Sequence, residues 1–110
     1  MIKTNLSYYE NWIVQARKGL LELMILNRLN KKGECYGYEL VKELIAIPGS
    51  GLSEGTVYPL LSRLRVQGLV KTSLKESDEG PARKYYSLTG SGEETLNLMN
   101  EYWKTLISAE

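Results

Sequence analysis

The apolar positions fall into four runs of helical spacing and one run of alternation. From about Glu10 to Asn30, ENWIVQARKGLLELMILNRLN spaces Ile13, Val14, Leu20, Leu21, Met24 and Leu29 for a helix, with Leu23, Ile25 and Leu26 on other faces. A helix apolar most of the way round is buried on more than one side. NKKGECYGY interrupts it with two glycines, YELVKELIAI resumes with Leu40, Val41, Leu44 and Ile45 on one face, and PGSG ends that second helix. In SEGTVYPLLSRLRVQGLV the residues Val57, Leu60, Leu61 and Leu64 follow the i, i+3, i+4, i+7 rule, which predicts a third helix. LVKTSLK and RKYYSL then read as two short strands, and the intervening ESDEGPA predicts a hairpin loop longer than a two-residue turn. TGSGEETLNLMNEYWKTLISAE is a fourth helix, with Ser91 three residues before Glu94 at the spacing of a capping box.

Pro59 raises a question about the third helix. A proline inside a helix lacks the N–H needed there, at a cost of roughly 3 kcal/mol. Either the helix begins late enough to put Pro59 in its first turn, where that donor has no partner anyway, or it begins near Ser53 and tolerates the proline. In both cases Pro59 faces outward. With Val57 at the centre of the buried stripe, Gly55, Pro59 and Ser62 fall on the far side, Thr56 and Arg63 on one flank, and Tyr58 and Arg65 on the other. A face small in its middle and hydrogen-bonding or basic at its edges suits close approach to a large surface, and the DNA major groove admits a helix.

Composition narrows the function classes. At 110 residues the chain fits one small domain, with 43% apolar and 25% charged residues, as in soluble globular proteins. No stretch approaches the roughly 20 apolar residues of a membrane span, and MIKTNLSYYENWIVQ lacks a signal-peptide pattern, so a cytoplasmic protein is expected. Cys35 is the single cysteine and there is no histidine, which leaves no internal disulfide, no usual zinc constellation and no Ser-His-Asp or Cys-His pairing. No metal, no cofactor and no enzymatic activity are expected. Net charge is only +1, but it is unevenly spread. Residues 53–87 carry Arg63, Arg65, Lys71, Lys75, Arg83 and Lys84 against Glu54, Glu76, Asp78 and Glu79, whereas residues 88–110 carry four acids and only Lys104.

Three short helices followed by a basic two-stranded hairpin describe a winged helix-turn-helix, a mainly α fold whose third helix enters the groove while the hairpin follows the backbone. The chain resembles the PadR family of bacterial winged-helix regulators through GLLELMILNRL, ECYGYEL, GTVYPLLSRLRVQGLV and RKYYSLTGSG, a match covering roughly Lys18 to Gly92. The resemblance implies a dimeric regulator of double-stranded DNA, commonly a repressor, whose C-terminal helix packs against its partner. A single helix after the hairpin is similar to the shorter type of the family. Residues 1–88 are then the DNA-binding domain and residues 89–110 the dimerisation helix. Some members respond to phenolic acids or flat aromatic drugs, which adds a small aromatic effector as a partner to test. The competing reading is a winged-helix protein-interaction module that does not touch DNA.

Residue roles follow from these blocks. Thr56, Tyr58 and Arg63 match the recognition-helix block and are assigned to DNA, although Tyr58 half-buried against the hairpin is the alternative. Ser53 donates to a phosphate or, more simply, caps the helix. Tyr38 reaches a phosphate or is a core tyrosine with its hydroxyl at the surface. Arg83 and Lys84 point to opposite faces of their strand, so one enters a groove at most while the other tracks phosphates, with the acidic ESDE arguing for a wing tip turned away. In the last helix Leu96, Met99, Trp103 and Leu106 form a seam spaced 3, 4 and 3, with Tyr102 and Ile107 beside it, the expected dimer interface. Trp103 is either packing there or stacking a ligand, and Trp12, Tyr8 and Tyr9 belong to the same region. Cys35 is assigned no role.

Overall fold

The computed structural model describes residues 2–109. Its elements are α1 (Leu6–Lys32), β1 (Cys35–Tyr36), α2 (Gly37–Ala46), α3 (Glu54–Val66), β2 (Val70–Ser77), β3 (Gly80–Leu88) and α4 (Gly90–Ser108). The three strands form an antiparallel sheet in the order β1-β3-β2. This is a winged helix-turn-helix, with α3 as its third helix and β2–β3 as the wing.

The core is one cluster drawn from all the major elements. Ile25, Leu26 and Leu29 of α1 meet Leu40, Val41 and Leu44 of α2, Val57, Leu61 and Leu64 of α3, Val70, Tyr86 and Leu88 of the sheet, and Leu96 of α4. Of the predicted stripe of the third helix, Val57, Leu61 and Leu64 are buried and Leu60 is partly buried against them. Ile45, expected on the inner face of the second helix, is exposed instead.

Helix ends depart from expectation where capping decides them. α1 begins four residues before Glu10, because the Asn5 side chain accepts the Tyr8 N–H at 3.0 Å and satisfies one of the free donors of the first turn. α3 begins at Glu54 with Ser53 as its N-cap residue, so Pro59 lies in the helix interior and the late start is excluded. The carbonyl that Pro59 cannot pair belongs to exposed Gly55, where water can serve it. The Ser53 side chain caps no backbone N–H of the helix; its Oγ instead hydrogen-bonds Thr56 Oγ1 at 3.2 Å. α4 is not capped by Ser91. Thr89 is the cap, its hydroxyl accepting the Gly92 N–H at 2.9 Å and donating to the Gly68 carbonyl at 2.6 Å. The tertiary partner decides this, since only Thr89 serves the new helix and the end of α3 at once.

The sheet holds two further differences. Cys35 and Tyr36, inside the predicted break, pair with Tyr86 and Tyr85 as a third strand. The wing has no long loop: β2 and β3 run through ESDEGPA to a tight turn at Asp78 and Glu79, and a shift in register between Lys75 and Ser77 absorbs the extra residue as a bulge.

α4 lies along α1, registered by a reciprocal amide pair in which Asn27 Nδ2 donates to Asn100 Oδ1 at 3.1 Å and Asn100 Nδ2 to Asn27 Oδ1 at 2.9 Å. Leu96 belongs to the chain's own core and Met99 packs against that core, so the predicted seam is free only beyond Met99. Tyr102, Leu106 and Ile107 are exposed, and Trp103 is 38% exposed.

Candidate nucleic-acid interface

The loop before α3 is built around a close approach. Arg17 of α1 donates from Nη2 to the Gly49 carbonyl at 3.3 Å, and its guanidinium occupies the space that a Cβ on Gly51 would need. Gly51 also has φ of 67°, a left-handed conformation that glycine adopts without strain. This turn delivers the chain to Ser53, the start of α3. Leu69 N–H to Leu64 carbonyl and Gly68 N–H to Arg65 carbonyl, both at 3.0 Å, close the other end as a Schellman motif.

Between these ends α3 presents the residues predicted for its outer face. Gly55, Tyr58, Pro59, Ser62, Arg63, Arg65 and Val66 are exposed, and Thr56 is partly so. Burial, and next the charge of Glu54, raise the pKa of Tyr58, so its hydroxyl stays a protonated donor at neutral pH. Tyr58 is neither core nor fully solvated, at 40% exposure.

Beside α3 lies a tyrosine cluster that brings together three elements. The ring of Tyr36 is 6.2 Å from that of Tyr38 and 5.8 Å from that of Tyr85, centroid to centroid. Three cations cover the rings: Arg83 over Tyr36 at 4.8 Å, Lys75 over Tyr85 at 4.7 Å and Lys42 over Tyr38 at 5.3 Å. The start of α2 and the middle and outer part of the wing thus share one aromatic and basic surface. Tyr38 is exposed, which excludes it from the core.

The wing residues separate as alternation requires. Arg83 faces Lys75 across the strands on the side of Tyr36, whereas Lys84 faces Leu74 on the other side and is exposed. Lys75 is ion-paired with Glu34. Arg63 is not free either: its guanidinium is ion-paired with Glu22 of α1. Arg65, on the opposite flank, pairs with no carboxylate among the described residues. Tyr36, Lys42, Lys75 and Tyr85 join the surface without having been singled out by sequence; the lysines of KTSLKES and the tyrosines of RKYYSL, on two strands that pair, were the available signal.

Residues 25–98 match the transcriptional regulator PadR-like family. The chain belongs to that family. Among solved structures it is similar to a PadR-like transcription factor from Bacteroides fragilis, at 41% identity over 87% of this chain and 91% of that one, with a TM-score of 0.72. It is also similar to a PadR-like regulator from Bacillus cereus, at 38% identity over 87% and 99% of the two chains and a TM-score of 0.70. A PadR family regulator from Eggerthella lenta matches at 31% identity over 92% and 87%, with a TM-score of 0.76. No curated protein matches significantly. PadR-like proteins are DNA-binding transcriptional regulators rather than enzymes, in keeping with the exposed α3 and the basic tyrosine surface beside it.

Other candidate chemistry is thin in this PadR-like chain. Burial raises the pKa of the Cys35 thiol, which favours its protonated form over the nucleophilic thiolate. Among the described residues no cluster of His, Cys, Asp or Glu is placed to hold a metal, and no helix is long and apolar enough to cross a membrane. An apolar groove of about 450 Å³ runs between α1 and α4, lined by Leu20, Leu23, Met24, Ile47, Asn100 and Trp103 among others. Trp103 lines this groove from α4.

Proposed function

We propose that this PadR-like protein is a homodimeric, sequence-specific repressor that reads DNA with α3 and grips the backbone from the tyrosine surface and the wing. The carrying observation is the clustering of Tyr36, Tyr38 and Tyr85 under the cations over their rings, together with the exposed outer face of α3. Thr56, Tyr58 and Arg63 face the groove, with Ser53 donating to a phosphate at the start of α3. Tyr38, Arg83 and Lys84 hold the backbone. Residues 1–88 form the DNA-binding unit, and residues 89–110 carry dimerisation.

The expected result is a salt-dependent shift of duplex DNA taken from immediately upstream of the protein's own gene. Arg63→Ala should weaken specific binding by about 1–3 kcal/mol at unchanged fold. Lys84→Ala should lower affinity for all sequences alike and flatten the plot of log affinity against log salt by roughly 0.9 for each phosphate it no longer neutralises. Unchanged affinity in both variants favours the protein-interaction reading.

Release by a small planar aromatic effector belongs to the same proposal. Trp103 sits on the proposed seam, so two indoles of a dimer can clamp a flat guest at stacking distance. Such a guest alters DNA affinity only if it prefers one dimer geometry. Planar aromatics and phenolic acids should quench tryptophan fluorescence in the wild type and in Trp12→Tyr but not in Trp103→Tyr. The opposite pattern removes Trp103 from ligand binding.

A further inference from the structure

DNA binding through α3 asks Arg63 to leave a partner it already has. Its guanidinium is ion-paired with Glu22, a residue of α1. The arginine side chain is 57% exposed and the carboxylate 25%, so the guanidinium can be reached by a ligand while Glu22 stays against the fold. Arg63 also occupies the flank of α3 opposite Tyr58 and Arg65, and no second acid holds it among the described residues.

We infer that Glu22 is an intramolecular competitor of DNA for Arg63 and thereby sets the affinity of this regulator for its operator. The inference rests on the proposed DNA-binding function and adds a residue to it. A guanidinium presents its donors in one rigid fork, and the same fork fits a carboxylate, a phosphate or the edge of a guanine. Glu22 holds it through Nη2, so a DNA group that takes the fork bidentately through that nitrogen has to displace the carboxylate. Binding then exchanges one partner for another and leaves a carboxylate unpaired near a polyanion, so the net contribution of Arg63 is smaller than its interaction with DNA. An alternative arrangement, in which Glu22 holds Arg63 ready for DNA, makes the opposite prediction for loss of the acid.

The test is a double-mutant cycle on the full chain with the duplex from upstream of its own gene, an unrelated duplex of equal length serving as the non-specific reference. Glu22→Gln keeps shape and an acceptor but removes the charge. It should tighten specific binding about two- to fivefold per protomer, the scale of an exposed ion pair. The gain should be largest at low salt and shrink as salt screens the competitor in the wild type. In the Arg63→Ala background the gain should largely disappear. Weaker or unchanged binding by Glu22→Gln overturns the inference, and so does a gain that persists undiminished without Arg63, which reports only general charge. If wild type binds and Arg63→Ala weakens it while Glu22→Gln does not tighten it, the competitor fails and the DNA-binding function stands. If wild type does not bind, both fail.

Discussion

Replacing Trp103 and Leu106 together by lysine is expected to leave the winged helix folded, convert the proposed dimer into monomers and weaken operator binding by about a hundredfold or more. Trp103 stands at the edge of the part of α4 that the chain covers for itself, in the groove against α1, and Leu106 lies beyond it: Leu96 is in the core, whereas Leu106 and its neighbour Ile107 are more than half exposed. Large apolar groups each gain about 1.5–3 kcal/mol on full burial, so the end of α4 is a face that calls for a partner. α1 offers a second such face, with Leu6, Tyr9 and Trp12 exposed on the same helix whose Ile25, Leu26 and Leu29 build the core. The apolar pattern of the first helix calls for burial on more than one side, and a second copy is the occupant proposed for its other side. The loss in affinity follows from linkage. Two recognition helices on one dimer bind two half-sites as an intramolecular pair, and separating them removes an effective concentration worth about 10²–10⁴ in affinity. Sedimentation and a thermal melt check the first two outcomes, and a titration of the operator duplex checks the third. A wild type that sediments as a monomer at micromolar concentration removes the dimer from the proposal.

Gly92→Ala should cost about 2–3 kcal/mol, the upper end for forcing extra volume into a packed site. Gly92 is buried in the first turn of α4, and a Cβ there would run into the carbonyl carbon and oxygen of Leu69. That obstacle is backbone. The Leu69 carbonyl also accepts the Thr89 N–H at 3.1 Å, so moving it away breaks the bond that seats α4 on the end of α3. Gly90, two residues earlier in the same helix, has nothing within 4 Å of the corresponding position. Gly90→Ala should therefore be neutral or slightly stabilising through helix propensity. Denaturant unfolding of the two variants tests the contrast, and equal stabilities would show that α4 yields at no cost. Because Thr89 and Gly92 tie α4 directly to the turn after α3, Gly92→Ala should also weaken specific DNA binding more than its stability loss alone accounts for.

Periodicity carried much of this protein. The inner stripe of α3, the order of helices and strands, and the four sequence blocks similar to PadR regulators all depend on residues within a few positions of one another, where spacing and side-chain type dictate which face is apolar. The exposed face of α3 was legible for the same reason, since once Val57, Leu61 and Leu64 are buried the rest of the wheel must look outward.

Choices among equally plausible local partners were left to the tertiary structure. Ser91 and Thr89 both suit a helix start, and the Gly68 carbonyl, 21 residues from Thr89, selects the latter. Cys35 and Tyr36 look like loop until Tyr86 and Tyr85 of β3 supply the other half of the ladder. Arg63 reads as a free cation on an outer flank until Glu22, a helix away, takes it, and the tyrosines of α2 and the wing become one surface only when the sheet closes. A carboxylate, a carbonyl or a ring distant along the chain leaves no periodic mark on its partner's neighbours, so these pairings arise only when folding brings the elements together.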